Sequence, residues 1–185
     1  MKTIRSSLVA LVATLAVVVS GWQATSPGVG PASLREAIAA DPEAHARERR
    51  AAEVKARFEQ AVVMLHAREH DHAVAALHRV LELAPTMPEA HVNMGYALLG
   101  LGQARAARDF FNGAIELRAM QANAYYGLAL ALEADRDLRG ALGAMRTYLH
   151  LSRAEDPHRT KARAALWEWE LALSGGRADD GGKAK

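Results

Sequence analysis

The sequence predicts an all-α solenoid of about three helix pairs, closed at its C-terminal end by a single capping helix. Two series of identical residues recur at one fixed interval. They are Ala73, Ala107 and Ala141, and Leu83, Leu117 and Leu151. Within each interval, apolar residues return every three or four positions, which is the spacing of one face of an α-helix. A unit of this length, about 34 residues, is one helix–turn–helix, which buries its apolar face only by stacking on its neighbours.

The repeated part of the chain divides into three units. They are residues 54–87, 88–121 and 122–155. In the second unit, apolar residues recur at helical spacing from Pro88 to Leu101. Pro88 suits the first turn of a helix, and Gly102 suits the left-handed residue that often ends one. A second apolar face follows at once, so the unit is predicted to be two helices joined by a tight turn.

The second unit contains the run His91-x-x-Met94-Gly95-x-x-Leu98, followed by Ala107, Phe111 and Ala114. A matching series stands in the third unit: Tyr125, Leu128, Ala129, Leu132, Ala141, Met145 and Tyr148. This pattern resembles the tetratricopeptide repeat family over about residues 54 to 155. The small residues leave room for two helices to cross closely, and the large ones fill the gaps between them. The resemblance implies a right-handed solenoid that serves as a non-catalytic scaffold for binding other proteins.

In tetratricopeptide repeat proteins the first helix of each pair lines a concave groove, and the resemblance implies such a surface here. The implied groove residues are Phe58, Val62, Leu65, Val92, Asn93, Tyr96, Leu99, Asn123, Tyr126 and Leu130. This surface is mainly apolar, so we expect it to take an apolar helix or extended segment of a partner protein. The subgroup of the family that grips acidic chaperone tails would have Lys and Asn in place of Phe58 and Val62. The chain's own helix from Ser33 to Ala40 and a second copy of the chain stay open as alternative occupants.

The N-terminus has the pattern of an export signal. Lys2 and Arg5 precede an apolar stretch from Leu8 to Val19, and no further charge occurs before Arg35. Residues 1–24 are therefore predicted to be a signal peptide or a signal anchor, and the repeats are expected in a bacterial periplasm. The partner would then be another envelope protein, with membrane contact only through the N-terminal segment. The complete lack of cysteine suits such an oxidising compartment.

The remaining segments complete the domain organisation. Residues 25–32 are predicted to be a flexible linker, 33–53 N-terminal helices, 156–174 the capping helix and 175–185 a disordered tail. The capping helix is expected to pack through one apolar face, Ala162, Ala165, Leu166, Trp169 and Leu173. Trp167 and Leu171 lie beside that face. If both are exposed, they indicate a second contact, with a protein or with a membrane surface.

Composition and motifs argue against nucleic-acid binding and against catalysis. The net charge of +2 falls to zero without Lys2 and Arg5, so no dense basic surface is available for phosphates. The run from His66 to His70 has the H-x-x-E-H order of a zinc peptidase motif, yet it falls where the first repeat turns. We therefore expect no enzyme, no cofactor and no metal. A metal-binding protein that uses His66 and His70, and a structural homo-oligomer, stay as alternatives.

Overall fold

Seven α-helices joined by short turns make up residues 41–180, the part of the chain that the computed structural model describes, with side chains described over 41–175. They are α1 (Pro42–His66), α2 (His70–Leu83), α3 (Pro88–Gly100), α4 (Ala104–Leu117), α5 (Ala122–Ala134), α6 (Leu138–Leu151) and α7 (Arg159–Asp180). Consecutive helices form antiparallel pairs, each pair packs on the next, and α7 packs on α6. The predicted all-α stack of three pairs with a capping helix is confirmed.

The chain divides into two units, Met1–Arg47 and Glu48–Lys185. The described part of the first unit is the beginning of α1, while the second unit holds the rest of α1 and the other six helices. The predicted leader at 1–24, the linker at 25–32 and the helix from Ser33 lie outside the described residues. None of the helices between residues 41 and 180 has the length and apolar character needed to cross a lipid bilayer.

The observed helix bounds differ from the predicted segment bounds at both ends. Helix α1 runs without a break through the boundary predicted between residues 53 and 54. Helix α7 begins three residues later than predicted and extends to Asp180, so the first six residues of the predicted disordered tail are helical. Glycines at 175 and 176 suggested an end there, but a glycine disfavours a helix interior by only about 1 kcal/mol and does not forbid it. Residues 181–185 lie outside the described part.

The turn within each pair has one geometry that recurs in all three repeats. Arg68, Gly102 and Arg136 all have left-handed backbone angles, with φ of 61°, 74° and 64°. The amide that follows each of them donates to a carbonyl five positions earlier: Glu69 to Met64, Gln103 to Leu98 and Asp137 to Leu132, at 2.8–2.9 Å. These bonds form Schellman motifs, which satisfy the last carbonyls of each first helix. Only Gly102 indicated this turn in the sequence, because side chains other than glycine are strained in that conformation.

Phe111 of α4 is fully buried between α3 and α5, the first helices of neighbouring pairs. A Cβ atom added at Gly95 of α3 would lie 2.7 Å from the Phe111 ring, and one added at Gly127 of α5 would lie closer still to it. Both distances are too short for real carbon contacts, so the ring occupies the space that the two glycines leave. The sequence predicted the role of Gly95 but not that of Gly127.

The capping helix α7 is attached by packing and by hydrogen bonds that three side chains donate. Ala162 and Trp169 are buried against the end of the stack, and Ala165, Leu166 and Leu173 pack beside them, as predicted. The Trp169 indole donates to Glu133 at 2.8 Å, and Arg146 of α6 donates to Glu170 at 2.7 Å. Arg159 donates to the carbonyls of Leu149 and Ser152, at 2.7 and 3.0 Å, where α6 ends. A basic side chain at that point satisfies carbonyls that have no partner within the helix.

The contact at Phe111 predicts opposite effects for two glycine substitutions. Gly127→Ala should lower the free energy of unfolding by about 1–3 kcal/mol, since the new methyl group must displace a buried ring. Gly143→Ala on α6 should raise it by up to about 1 kcal/mol, since nothing lies within 4 Å of the added carbon and alanine favours the helix. Urea unfolding followed by circular dichroism measures both values. Equal effects at the two positions would show that the Phe111 contact is wrongly placed.

Candidate partner-binding groove

The first helices α1, α3 and α5 carry three rows of residues at equivalent positions of successive repeats. The rows are Phe58, Val92 and Tyr126; Val62, Tyr96 and Leu130; and Leu65, Leu99 and Glu133. Eight of these nine side chains were predicted as groove residues, and the ninth is Glu133. All but Glu133 are apolar or aromatic, so the rows form a mainly apolar surface along the three first helices.

The burial of these side chains separates core residues from residues that a partner can touch. Val92 is only 4% exposed and belongs to the core, so its prediction as a groove contact is corrected. Phe58, Leu65 and Leu99 are half-buried and pack against the same core cluster. Val62 and Leu130 are also half-buried, but they belong to neither core cluster of the described residues. Val62 and Leu130 are therefore the positions that depend least on the core, whereas Tyr96, which lies between them in the row, packs against the first core cluster.

Tyr96 is held in place from two sides. Its ring meets the ring of Phe111 edge-on, with centroids 5.1 Å apart, and its hydroxyl donates to the backbone carbonyl of Asn123 at 3.0 Å. Burial raises the pKa of Tyr96 above its usual value, and the phenols of Tyr126 and Tyr148 add to the shift. The hydroxyl thus stays protonated and can donate at any physiological pH. Tyr96 links α3 to α5 and presents a fixed, half-buried ring to the groove.

Tyr126 stands at the centre of a second aromatic group near the start of α7. Its ring centroid lies 5.0 Å from that of Tyr148 and 5.3 Å from that of His158. Burial, followed by the carboxylates of Asp156 and Glu133, raises the pKa of Tyr126. Tyr126 packs against the core cluster of the third pair, so part of its surface is structural.

Tyr148 is 1% exposed, and its hydroxyl makes no hydrogen bond of ordinary geometry within the described residues. Burial raises the pKa of Tyr148 to about 12, and the nearby carboxylate of Asp156 contributes to this rise. Burial alone would also raise the pKa of Asp156, but the amide of His158, at 2.9 Å, and the phenol of Tyr148 lower it overall. The hydrogen bond from the His158 amide to the Asp156 carboxylate stabilises the turn before α7.

The polar residues around the groove have different roles. Asn123 is exposed. Its backbone carbonyl accepts the hydrogen bond from Tyr96, and its side chain does not take part. Asn93 is half-buried, and its side chain makes no hydrogen bond among residues 41–175. The carboxylate of Glu133, which lies beside the groove, accepts a hydrogen bond from the indole N–H of Trp169. Asn93 and Asn123 therefore keep free amide groups for a ligand, whereas Glu133 mainly holds the capping helix.

A cleft of about 610 Å³ lies where the start of α5 faces the turn between α6 and α7. It is lined by Ala122, Leu151, Ser152, Arg153, Glu155, Asp156 and Pro157. Sequence reasoning missed it, because its walls come from the ends of elements that are distant along the chain. Its lining residue Ala122 directly precedes the groove residue Asn123, so the cleft could extend the groove at the α5 end.

The two histidines of the H-x-x-E-H run fall on different helices, as predicted. His66 ends α1, with its Nδ1 atom 2.7 Å from the carbonyl of Val62, and His70 begins α2. The ring of His70 packs against Gly100, and its Nδ1 atom is buried without a hydrogen-bond partner. Among the described residues, no group of three or more His, Cys, Asp or Glu is placed to hold a metal ion.

Comparison with known proteins agrees with this architecture. Residues 64–132 match a family model described as tetratricopeptide repeat. No curated protein matches the chain in sequence. The match runs from the last turn of α1 to the end part of α5. Residues 64–132 therefore carry the tetratricopeptide repeat pattern.

Solved structures with the same fold cover most of the described helices. The first TPR domain of Spaghetti (RPAP3), bound to an HSP90 peptide, has a TM-score of 0.61 at 20% identity, over 66% of this chain and 94% of that chain. The chaperone SycD of Yersinia enterocolitica, in complex with a peptide of the translocator YopD, has a TM-score of 0.60 at 12% identity, over 64% and 93%. MamA from residue 41 of Desulfovibrio magneticus RS-1 has a TM-score of 0.59 at 22% identity, over 68% of each chain. At these identities, the similarity shows the fold alone.

The three tyrosines with raised pKa values predict a loss of stability in alkaline solution. The pKa values of Tyr96, Tyr126 and Tyr148 are raised in the folded state above the value of about 10 expected in the unfolded chain. Between pH 10 and 12 the unfolded chain therefore binds fewer protons, and the free energy of unfolding falls as the pH rises. Urea unfolding at pH 8, 9, 10 and 11 measures this slope. Tyr148→Phe should make the slope shallower, and an unchanged slope would contradict the assignment.

Proposed function

We propose that this chain is a non-catalytic scaffold of the bacterial cell envelope, whose groove binds an apolar helix or extended segment of another envelope protein. The observation that carries the proposal is the row Val62, Tyr96 and Leu130. These residues stand at equivalent positions on three consecutive first helices, and all three are half-buried rather than sealed in the core. A row of partly open apolar groups is the kind of surface that recognises the apolar face of a peptide.

The fixed position of Tyr96 supports this interpretation. Its ring is held by Phe111 and its hydroxyl by the Asn123 carbonyl, so little side-chain freedom is left to lose on binding. Aromatic residues that are held in this way are common energetic centres of protein interfaces. The amides of Asn93 and Asn123 stand beside the row and could bind the backbone of an extended ligand. Tyr96 would then be the anchor, and the two amides would orient the segment.

Two structures with the same fold contain bound peptides, one from HSP90 and one from the translocator YopD. They support a peptide segment as the ligand of this chain as well. The apolar Phe58 and Val62 argue against an acidic tail, because neither side chain can pair with a carboxylate. We therefore favour an apolar segment.

The envelope location is supported by the sequence pattern of the N-terminus. Lys2 and Arg5 followed by the apolar stretch from Leu8 to Val19 have the composition of an export signal. Whether this leader is cleaved or kept as an anchor does not alter the side of the membrane that the repeats would face. The alternative of a metal-binding protein has less support, because His66 and His70 belong to different helices and have no third ligand among the described residues.

The groove is tested by photocrosslinking in cells that express the full chain. A photoreactive residue at Val62 or at Leu130 should capture the same partner protein, identified by mass spectrometry. Val63 is the matched control, because it is the next residue of α1, has the same side chain and is 68% exposed. It should capture little of that partner, since it points about 100° away from Val62 around the helix.

The same pair of positions yields a substitution test. Val62→Asp should weaken capture at Leu130 at least about tenfold, because a charge in an apolar contact loses its hydration. Val63→Asp should leave capture unchanged, and circular dichroism should show both variants equally helical. Equal loss in both variants, or capture only of the chain itself, would overturn the partner-binding groove.

The location is tested separately by reporter fusions at the C-terminus. An alkaline phosphatase fusion should be active and a fluorescent protein that folds only in the cytosol should be dark, because the leader is expected to carry the repeats across the membrane. Replacing Lys2 and Arg5 by Glu should reduce the phosphatase activity. The opposite pattern would refute the envelope location while leaving the groove proposal intact.

A further inference from the structure

The outer side of the capping helix α7 carries a regular exposed stripe. Its members are Thr160, Ala164, Trp167, Leu171 and Ser174, and all five are exposed. They are separated alternately by four and three positions, so they form one straight line along the helix. Trp167 is 70% exposed and Leu171 is 61% exposed, whereas Ala162 and Trp169 on the other side are buried. Large apolar side chains on adjacent turns of one helix face form a contiguous patch, and such a patch marks an interaction surface where single exposed residues do not.

This spacing is that of the contact seam between two paired helices. In such pairs, every first and fourth residue of a seven-residue repeat enters a space between side chains of the facing helix. A hollow of about 280 Å³ already exists on this face, lined by Trp167, Glu170, Leu171 and Ser174. The face therefore has both the residue spacing and the surface relief that a second helix requires.

The charges beside the stripe point to the partner. One edge carries Lys161 and Glu168, and the other carries Arg163 and Glu170. Lys161, Arg163 and Glu168 form no ion pair within the described part of the chain, while Glu170 binds Arg146 of α6. Each edge thus has one basic residue and one acidic residue, seven positions apart. When the same edge of two copies lies side by side in opposite directions, the basic residue of each copy lies opposite the acidic residue of the other.

We propose that α7 pairs with α7 of a second copy of this chain, in antiparallel orientation about a two-fold axis. In this arrangement Trp167 faces Ala164 of the second copy, and Leu171 faces Thr160, so a large side chain always meets a small one. Lys161 lies opposite Glu168 of the second copy, and Arg163 lies opposite Glu170. Each contact occurs twice, as in any interface formed by the same surface of both subunits.

Parallel pairing fits the same residues less well. It would set Trp167 against Trp167 and Ala164 against Ala164, which crowds one layer and leaves a gap in the next. It would also leave Lys161 without an acidic partner within α7, because charges pair across the two edges in parallel helices. The antiparallel arrangement uses all four charged residues and alternates the side-chain sizes.

The stripe from Thr160 to Ser174 is about 22 Å long, at about 1.5 Å for each residue. A contact of this length falls at or below the lower end of stable interfaces, so a weak dimer is expected. The pairing does not involve the groove of α1, α3 and α5. It would therefore present two grooves to one partner or to two partners, and it goes beyond the proposed binding function without depending on it.

The absence of cysteine in the whole chain allows a clean crosslinking test of orientation. Two copies of the full chain with different tags are expressed together, one carrying Thr160→Cys and the other Leu171→Cys. Under oxidation, antiparallel pairing should yield the mixed disulfide between the two tags. Parallel pairing would instead yield disulfides between identical tags and would overturn the proposed orientation. A copy carrying Glu116→Cys, on the exposed side of α4, should give only background.

The charges are tested by sedimentation of the purified full chain over a range of concentrations. Lys161→Glu should raise the dimer dissociation constant about threefold or more, and the double variant Lys161→Glu with Glu168→Lys should restore it. Trp167→Ala should raise it about tenfold or more, because buried aromatic residues dominate small interfaces. Met120→Ala is the control, since Met120 is 73% exposed but lies between α4 and α5, away from the stripe.

Two results would overturn the pairing. One is a chain that stays monomeric at 100 μM with no mixed disulfide. The other is a monomeric chain that binds vesicles of phosphatidylethanolamine and phosphatidylglycerol and loses this binding on Trp167→Ala, which would assign the stripe to a membrane surface. Neither result would affect the crosslinks expected at Val62 and Leu130, so the groove and the pairing are judged separately.

Discussion

The ring of Phe111, held between Gly95 and Gly127, sets the spacing between the second and third helix pairs. The two glycines belong to α3 and α5, which are the first helices of neighbouring pairs, so the ring determines how closely one repeat approaches the next. Tyr96 packs edge-on against the same ring and donates to the Asn123 carbonyl of α5. A core contact thereby also positions the aromatic residue that faces the groove.

The groove shares its side chains with the interior. Val92 is buried in the core. Phe58, Leu65 and Leu99 pack against the core on one side and are exposed to solvent on the other. In a solenoid this sharing is unavoidable, because each first helix packs on its own pair and on its neighbours. Residues such as Val62 and Leu130, which touch neither core cluster, can vary to suit a ligand with less effect on the core than the other groove residues. Recognition and folding are thus partly separated along one row of equivalent positions.

The capping helix ends the stack in one direction and exposes a surface in the other. Its inner face is attached by Trp169 bonded to Glu133 and by Arg159 bonded to the last carbonyls of α6. Its outer face carries Trp167 and Leu171, with charged residues along both edges. A cap that only shielded the stack would be polar on that side. The antiparallel pairing of two such helices would cover the apolar residues and pair the charges at once.

The sequence by itself determined the period of the repeat, the order of the helices and the close approach at Gly95. These features are local or periodic, so the spacing of residue types reveals them. Only the tertiary structure decided that Gly127 also receives Phe111, that Val92 is buried, that Glu133 binds Trp169, and that Arg68 and Arg136 adopt the left-handed turn of Gly102. Burial and hydrogen bonding depend on side chains brought together from distant parts of the chain, and the three turns share one shape because stacking of the repeats imposes it on each sequence.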